Sequence, residues 1–231
     1  MDIARYFDSA VLKPDYTRQQ VIDEINASIA VNSRTVCVRG CDIDLAMELT
    51  KGTNTGVSCV LDFPYGYGGW EAKAAIAEIY AKKGVEDIDM VMNYGYAKGG
   101  DWDVVEKEIK AVCDAAHPHG AVVKVIFETS QLTIDEIKKG TEVCISAGAD
   151  FVKTSTGFNG HGATVEAVEA MLEAGKGRIK VKPSGGIRNF ETAKMYVDMG
   201  VERLGVGYNG SNCIWRILLG NICGNFVDAR K

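Results

Sequence analysis

The stretch Gly148-Ala149-Asp150-Phe151-Val152-Lys153-Thr154-Ser155-Thr156-Gly157-Phe158 carries the pattern that decides the fold. Apolar residues at helical spacing predict a helix before it, over Ile134–Ala147, and Gly148 is placed to end that helix. The apolar run that follows predicts a strand over Asp150–Ser155, and a second helix is predicted over Val165–Ala174. Strands that alternate with helices in this way are typical of a parallel α/β protein.

The same unit recurs along the chain. We predict eight strands, at Tyr6–Leu12, Arg34–Arg39, Val57–Asp62, Asp87–Asn93, Ala121–Glu128, Asp150–Ser155, Ile179–Ser184 and Glu202–Val206. Further helices are predicted at Trp70–Lys83, Val104–Ala116 and Phe190–Met199. Because no linker rich in Pro, Gly or Ser divides the 231 residues, the pattern predicts an α/β fold with one domain over residues 1–231, a (β/α)8 TIM barrel. A doubly wound open sheet is the alternative, but no Gly-x-Gly-x-x-Gly fingerprint follows the first strand.

Cap signals support these helix limits. Capping-box spacing occurs twice and single N-cap residues twice more, at Thr17 with Gln20, Thr133 with Glu136, Thr164 and Asn189. Gly175 and Gly200, like Gly148, are predicted to end helices.

The bulk composition excludes several classes of function. The net charge is −5 and no basic stripe is present, so nucleic acid is not expected as a partner, whereas a small phosphorylated ligand is compatible. The seven cysteines include no Cys-x-x-Cys pair and predict reduced, buried thiols. Neither a signal-peptide pattern nor an apolar run of about 20 residues is found, so we expect a cytoplasmic protein with no membrane association.

Two lysines stand near the carboxyl ends of neighbouring predicted strands, which is where barrel enzymes hold their active sites. They are Lys153 and Lys182, the latter in Ile179-Lys180-Val181-Lys182-Pro183-Ser184-Gly185-Gly186. Two ammonium groups that lie close together favour the neutral, nucleophilic amine on one of them. The pair therefore predicts an enzyme that forms a Schiff base. The alternative is that each lysine extends from its strand end into solvent.

Several other polar residues are predicted to point into the barrel from strands one to five. Asp89 and Asn93 share one face of the fourth strand, and Lys124 falls on the inward face of the fifth. Asp89 is expected either to move protons during catalysis or to form a structural ion pair. Asp8, Cys37 and Asp62 are also expected to face the interior.

Glycine-rich turns after the last two strands are the expected phosphate site. Ser184-Gly185-Gly186 allows close backbone approach, and Gly205-Val206-Gly207-Tyr208-Asn209-Gly210-Ser211 follows the eighth strand. The three histidines, His117, His119 and His161, have no metal-ligand spacing and are predicted to be solvated.

Motifs along nearly the whole chain resemble those of the deoxyribose-phosphate aldolases, a family of lysine-dependent class I aldolases. The matching segments, in order, are Asp8–Pro14, Phe63–Gly66, Asp87–Val91, Lys124–Thr129, Gly148–Phe158 and Lys182–Arg188. The resemblance implies reversible cleavage of 2-deoxy-D-ribose 5-phosphate to acetaldehyde and D-glyceraldehyde 3-phosphate, in carbohydrate degradation and deoxynucleotide catabolism. It implies no metal or organic cofactor, and a homodimer.

The resemblance also implies roles for single residues. Lys153 is expected to form the Schiff base, Lys182 to lower its proton affinity, and Asp89 to take part in proton transfer through water. The other residues expected to contact the substrate or its polar surroundings are Asp8, Cys37, Lys124, Gly157, Ser184, Gly185, Gly186 and Gly207.

The chain departs from the family pattern in a few places. Ala10 and Arg39-Gly40 replace the usual threonine and the usual Asn-Pro pair, and residues 225–231 lack a terminal tyrosine. Gly207-Tyr208 stands where serines usually reach the phosphate, and this favours a related aldolase that acts on a different, non-phosphorylated aldehyde pair. A non-catalytic sugar-phosphate-binding barrel is the third hypothesis. It gives no reason to hold an activated amine.

Overall fold

The computed structural model describes residues 2–207, and these form one barrel of alternating strands and helices. The strands are β1 Phe7–Val11, β2 Thr35–Val38, β3 Gly56–Leu61, β4 Asp87–Val91, β5 Val122–Ile126, β6 Phe151–Lys153, β7 Lys180–Lys182 and β8 Leu204–Gly207. The helices are α1 Arg18–Ala30, α2 Ile43–Thr50, α3 Trp70–Lys82, α4 Tyr94–Gly99, α5 Trp102–Ala116, α6 Ile134–Ala147, α7 Val165–Gly175 and α8 Phe190–Asp198. Residues 208–231, which include Tyr208, Ser211 and the terminal segment, lie outside the described residues.

All eight strands are parallel and pair in the order β7-β6-β5-β4-β3-β2-β1-β8. Pairing of β8 with β1 brings the last strand round to the first. The remaining gap is closed by a bridge between Ser184 and Gly205, where the Gly205 amide donates to the Pro183 carbonyl at 2.8 Å. The (β/α)8 prediction is confirmed, and the doubly wound open sheet is wrong because an open sheet keeps two free edges.

Side chains alternate along each strand, and the two faces differ in chemistry. Residues that point outward, such as Phe7, Val36, Ile88 and Val152, are buried under the helices in one large apolar core. Full burial of each contributes roughly 1.5–3 kcal/mol to stability. The inward face carries much of the buried charge, so the side chains that could act in catalysis are concentrated in the barrel interior.

The helix limits follow the caps read from the sequence. Both capping boxes form, and Thr164 and Asn189 accept hydrogen bonds from the first turns of α7 and α8. Gly148 ends α6 in the left-handed region. α7 ends at Gly175 as expected, although the residue in the left-handed region is the next one, Lys176, with a φ of 47°.

Two residues expected in the barrel interior lie elsewhere. Asn93 does not continue β4 but caps α4, with its Oδ1 accepting from the Tyr96 amide at 3.1 Å. Asp62 turns away from the interior at a positive φ of 51° and pairs with Lys73 of α3 at 3.2 Å. In both cases the strand ends one residue or more earlier than predicted, and the period-two alternation stops with it.

None of the helices within residues 2–207 has both the length and the apolar character that a membrane crossing requires.

Candidate active site

Strand register places the two lysines of the Schiff-base hypothesis side by side. Lys153 pairs with Lys182 across β6 and β7, and Ile126 of β5 pairs with Lys153 on the other side. Both lysines are the last residues of their strands, so their side chains enter the barrel at its carboxyl-terminal end. Both are buried.

Asp89 of β4 joins the two lysines across the barrel. Its Oδ2 accepts from Lys153 Nζ at 2.7 Å and from Lys182 Nζ at 2.7 Å. One carboxylate oxygen thus serves two ammonium groups, and neither lysine has this partner to itself.

A second layer of charge lies beneath this pair. Lys124 Nζ donates to Asp87 Oδ2 at 2.5 Å and to Asp89 Oδ1 at 3.1 Å. Asp8 Oδ2 lies 2.6 Å from Lys182 Nζ, and its Oδ1 accepts from the Thr35 hydroxyl at 2.8 Å.

Arg203 Nε stands 3.5 Å from Asp8 Oδ1 and closes the cluster from below. These residues form a continuous network that we call the interior cluster: Asp8, Asp87, Asp89, Lys124, Lys153, Lys182 and Arg203.

The interior cluster has one more basic group than acidic ones. Its three aspartates can balance three positive charges, whereas its three lysines and Arg203 can carry four. An excess charge in a buried site is costly, and the group that loses its proton most readily removes that cost. The cluster is balanced when one lysine is neutral.

The pKa of Lys153 is lowered and that of Lys182 is raised, so Lys153 gives up its proton more readily than Lys182 does. Burial, together with the nearby charge of Lys182, lowers the pKa of Lys153 against the opposing effect of Asp89. Burial acts on Lys182 as well, but the carboxylates of Asp8 and Asp89 outweigh it and raise the Lys182 pKa. For Asp89, burial is outweighed by Lys124, Lys153 and Lys182, which hold its pKa well below the usual range. The arrangement therefore favours a neutral amine on Lys153 beside a charged ammonium on Lys182.

A cavity of about 580 Å³ opens above the two lysines. Among the predicted site residues, its walls include Asp8, Cys37, Lys153, Gly157, Lys182, Ser184, Gly185, Gly186 and Gly207. Lys124 and Asp89 are buried and are not among the lining residues, since they lie beneath the lysines. The structure thus brings nearly all the predicted residues to one cavity and places Lys124 in the network under it.

The cavity also involves residues that the sequence did not single out. Lys13, Arg188 and His161 line it, and all three are exposed. Apart from the buried Asp8, no acidic residue lines the cavity within the described chain, so its mouth is cationic. His161 was expected to be merely solvated. Its place in the cavity depends on how the loop after β6 folds back, which no local pattern reveals.

The loop that follows Lys153 is held by a buried carboxylate outside the interior cluster, that of Glu128. Thr156 Oγ1 donates to Glu128 Oε2, and the Phe158 amide donates to Thr156 Oγ1 at 3.0 Å. Burial raises the pKa of Glu128 above its usual value, and the hydrogen bonds from Thr156 oppose that shift. The loop is thereby fixed between the ends of β5 and β6.

Within residues 2–207, no group of three or more His, Cys, Asp or Glu side chains is placed to hold a metal ion.

The model of the DeoC/LacD family aldolases matches residues 13–224. A deoxyribose-phosphate aldolase from a Thermoanaerobacter strain is 42% identical over 206 residues, which cover 89% of this chain and 92% of that protein. One from Staphylococcus carnosus is 42% identical over 205 residues, covering 89% and 92%.

Two solved structures are similar across most of the barrel. The aldolase QR15 matches with a TM-score of 0.84 at 38% identity, covering 89% of this chain and 91% of that one. The tetrameric deoxyribose phosphate aldolase from Aeropyrum pernix matches with a TM-score of 0.82 at 26% identity, covering 94% and 89%. With its lysine-centred barrel and these relatives, the chain belongs to the DeoC/LacD family of aldolases.

Proposed function

We propose that this protein is a class I lyase that reversibly cleaves 2-deoxy-D-ribose 5-phosphate to acetaldehyde and D-glyceraldehyde 3-phosphate through a Schiff base on Lys153. The observation that carries the proposal is the surplus basic group of the interior cluster, located on a buried lysine at the floor of the cavity. Relatives that are 42% identical to this chain over 206 and 208 aligned residues are named for the same reaction.

Imine formation uses Lys153 and its two charged neighbours. The neutral Nζ of Lys153 attacks the aldehyde carbon C1 of the open-chain sugar and forms a carbinolamine. Lys182, whose ammonium lies at the same Asp89 oxygen, donates the proton with which the hydroxyl leaves as water. The product is a protonated imine between Lys153 and C1.

Cleavage then breaks the bond between C2 and C3. A base removes the proton of the C3 hydroxyl, C3 becomes the aldehyde of glyceraldehyde 3-phosphate, and the bonding pair moves into the imine to give an enamine. Asp89, acting through water, is the proposed carrier of protons in this step and in the protonation of C2 that follows. Hydrolysis of the resulting imine releases acetaldehyde and restores the neutral amine.

The phosphate is assigned to the upper part of the cavity. Gly186, in the turn after Ser184, has a positive φ of 79° and nothing within 4 Å of the place that a Cβ would occupy, which leaves its backbone open to a ligand. Gly185, with a φ of 81°, packs against Gly162 and shapes the turn. Arg188 and Lys13 add positive charge at the mouth. The alternative substrate, a non-phosphorylated aldehyde, depends on Tyr208, which lies outside the described residues.

Trapping the imine tests the proposal directly. Borohydride reduction in the presence of 2-deoxyribose 5-phosphate, followed by peptide mass analysis, is expected to place the adduct on the peptide that contains Lys153. An adduct on another lysine, or none, would reject the mechanism. Rates with 2-deoxyribose, measured with and without the 5-phosphate, separate the two candidate substrates.

We also propose a homodimer located in the cytoplasm that works without a metal or organic cofactor. These statements rest on the family resemblance and on composition. Sedimentation of the purified protein, and activity after dialysis against a chelator, test the assembly and the metal independence.

A further inference from the structure

We infer that His161 is a specificity-determining residue, whose imidazolium form binds the phosphate of the substrate and takes up a proton as it does so. The inference rests on the proposed function for the identity of the phosphorylated substrate. His161, in the loop after β6, is an additional residue that recognises the phosphate of that substrate.

The loop that carries His161 is fastened to the glycine turn after β7. The Ala163 amide donates to the carbonyls of Ser184 and Gly185, at 3.0 and 3.1 Å. A Cβ placed on Gly162 would come within 2.2 Å of the Gly185 carbonyl carbon, so the two backbones are in direct contact. The Tyr196 hydroxyl donates to the Ala163 carbonyl at 3.1 Å and holds the loop from outside. His161 is therefore kept at the edge of the proposed phosphate site.

The hydrogen bond made by the imidazole determines what its other nitrogen can do. His161 Nδ1 lies 3.0 Å from the Gly162 carbonyl oxygen. A carbonyl oxygen only accepts, so Nδ1 carries a hydrogen. In the neutral ring Nε2 is then an acceptor, which cannot donate to a phosphate oxygen. Only the doubly protonated ring offers an Nε2–H to the anion, and this is why phosphate and proton bind together.

The charged residues that line the cavity together with His161 favour an anion there. Lys13 comes from the loop after β1, Arg188 precedes α8, and Lys153 and Lys182 form the floor. Asp8 is the one carboxylate among the described lining residues, and it is buried 2.6 Å from Lys182 Nζ. The cations attract a phosphate dianion, and the dianion in turn stabilises positive charge on the imidazole.

Binding of a phosphate monoester tests the inference independently of catalysis. Calorimetry with glycerol 3-phosphate, at about pH 7.5 in buffers of different ionisation enthalpy, measures affinity and proton uptake together. His161→Gln is expected to bind about tenfold more weakly than the unmodified protein and to lose proton uptake, because one charge-assisted hydrogen bond is removed. His119→Gln is the matched control, since His119 is an exposed histidine at the start of β5, at the opposite end of the barrel, and should behave like the unmodified protein.

Kinetics give the second readout. With 2-deoxyribose 5-phosphate, kcat/KM of His161→Gln should fall about tenfold at pH 6 and less at pH 8.5, while kcat/KM for 2-deoxyribose stays within about twofold. The inference would be overturned if His161→Gln bound glycerol 3-phosphate with the same affinity and proton uptake as the unmodified protein. It would also be overturned if kcat/KM of His161→Gln fell equally for 2-deoxyribose 5-phosphate and for 2-deoxyribose. If glycerol 3-phosphate binds through His161 but the sugar phosphate is not cleaved, the proposed reaction fails and the phosphate site stands.

Discussion

Two clusters of buried charge contain lysines that water scarcely reaches, and they differ in their balance of charge. The interior cluster has four basic groups for three carboxylates and opens to the cavity. The second, which we call the outer cluster, consists of Lys73 of α3, Glu108 of α5 and Asp62 after β3. It has one basic group for two carboxylates.

The outer cluster satisfies its lysine completely. Lys73 Nζ lies 2.8 Å from Glu108 Oε2 and donates to the carbonyls of Gly66 and Val91, at 2.9 and 3.0 Å. Glu108 Oε1 accepts from the Asn93 amide at 2.6 Å. Burial raises the pKa of Glu108, and the charge of Lys73 opposes that shift. This lysine ties the loop that contains Gly66 to two helices, α3 and α5.

Burial alone does not distinguish the lysine of the outer cluster from the lysine that we propose as the nucleophile. Lys73 and Lys153 are both almost inaccessible to solvent, at 1% and 3% exposure. What separates them is the supply of negative charge and the presence of a cavity. Lys73 has acceptors of its own and holds the structure together, whereas Lys153 shares a single carboxylate oxygen with Lys182 and is the nucleophile that we propose.

Lys153→Met gives the largest expected effect on turnover. It removes the proposed nucleophile, and kcat should fall by at least about 10³-fold. The interior cluster is then balanced at three against three, so the free energy of unfolding should change little. Steady-state kinetics measure the fall in kcat, and urea unfolding of the same preparation measures the free energy of unfolding. A large loss of stability would contradict the surplus-charge interpretation.

Lys182→Leu is expected to have the next largest effect. Without Lys182, protonated Lys153 balances the three aspartates, and the pKa of Lys153 rises. Because the neutral amine is the reactive form, the rising limb of the pH–rate profile should move to higher pH. Activity near pH 7 should fall about 10²-fold and recover in part above pH 9. Circular dichroism serves as the control for folding. Full activity at pH 7 would show that Lys182 does not act on Lys153.

Lys73→Met should have the opposite result to Lys153→Met, with a large loss of stability and little loss of turnover. It leaves Glu108 and Asp62 without their cation, so the free energy of unfolding should fall by about 3 kcal/mol or more, while kcat changes only a few-fold. The double variant Lys73→Met with Glu108→Leu should recover part of that stability, because the buried carboxylate is removed as well. Thermal and urea unfolding measure both. A loss of kcat as large as that of Lys182→Leu would make the outer cluster part of the chemistry.

Phe63→Leu should have the smallest effect on stability and turnover. It tests whether a change beside the outer cluster alters the active site. Phe63 stands in the loop that Lys73 holds, and its ring meets Phe158 edge to face at 5.1 Å between centroids. Losing this contact should reduce stability by about 1 kcal/mol and kcat less than about threefold. Steady-state kinetics of Phe63→Leu and Lys73→Met are compared. If both variants change KM in the same direction and to a similar extent, the outer cluster affects the active site through the loop that contains Phe63.

Much of the fold could be predicted because its signals are local. The limits of α6 match the prediction at both ends, since the capping box at Thr133 and the glycine at 148 fix the two ends of the helix. Limits failed where tertiary contacts compete with alternation, as at Asp62 and Asn93, which leave their strands for a lysine and a helix start.

The candidate site was partly predictable for the same reason. Lys153, Lys182 and Asp89 could be placed together because strand alternation and strand order determine which side chains share the barrel interior. The outer cluster was missed, since a lysine inside an amphipathic helix looks like any surface lysine. His161 was missed because its loop is positioned by contacts with Gly185, 24 positions further along the chain.

The sequence by itself determined the places of the eight strands, the capped starts of α1, α6, α7 and α8, and the two lysines at neighbouring strand ends, because these depend on periodicity and on residues close in the chain. The tertiary structure alone decided that the pKa of Lys153 is lowered and that of Lys182 is raised. That outcome depends on the sum of charges from β1, β4, β5, β6, β7 and the start of β8, and this sum exists only when the barrel is closed.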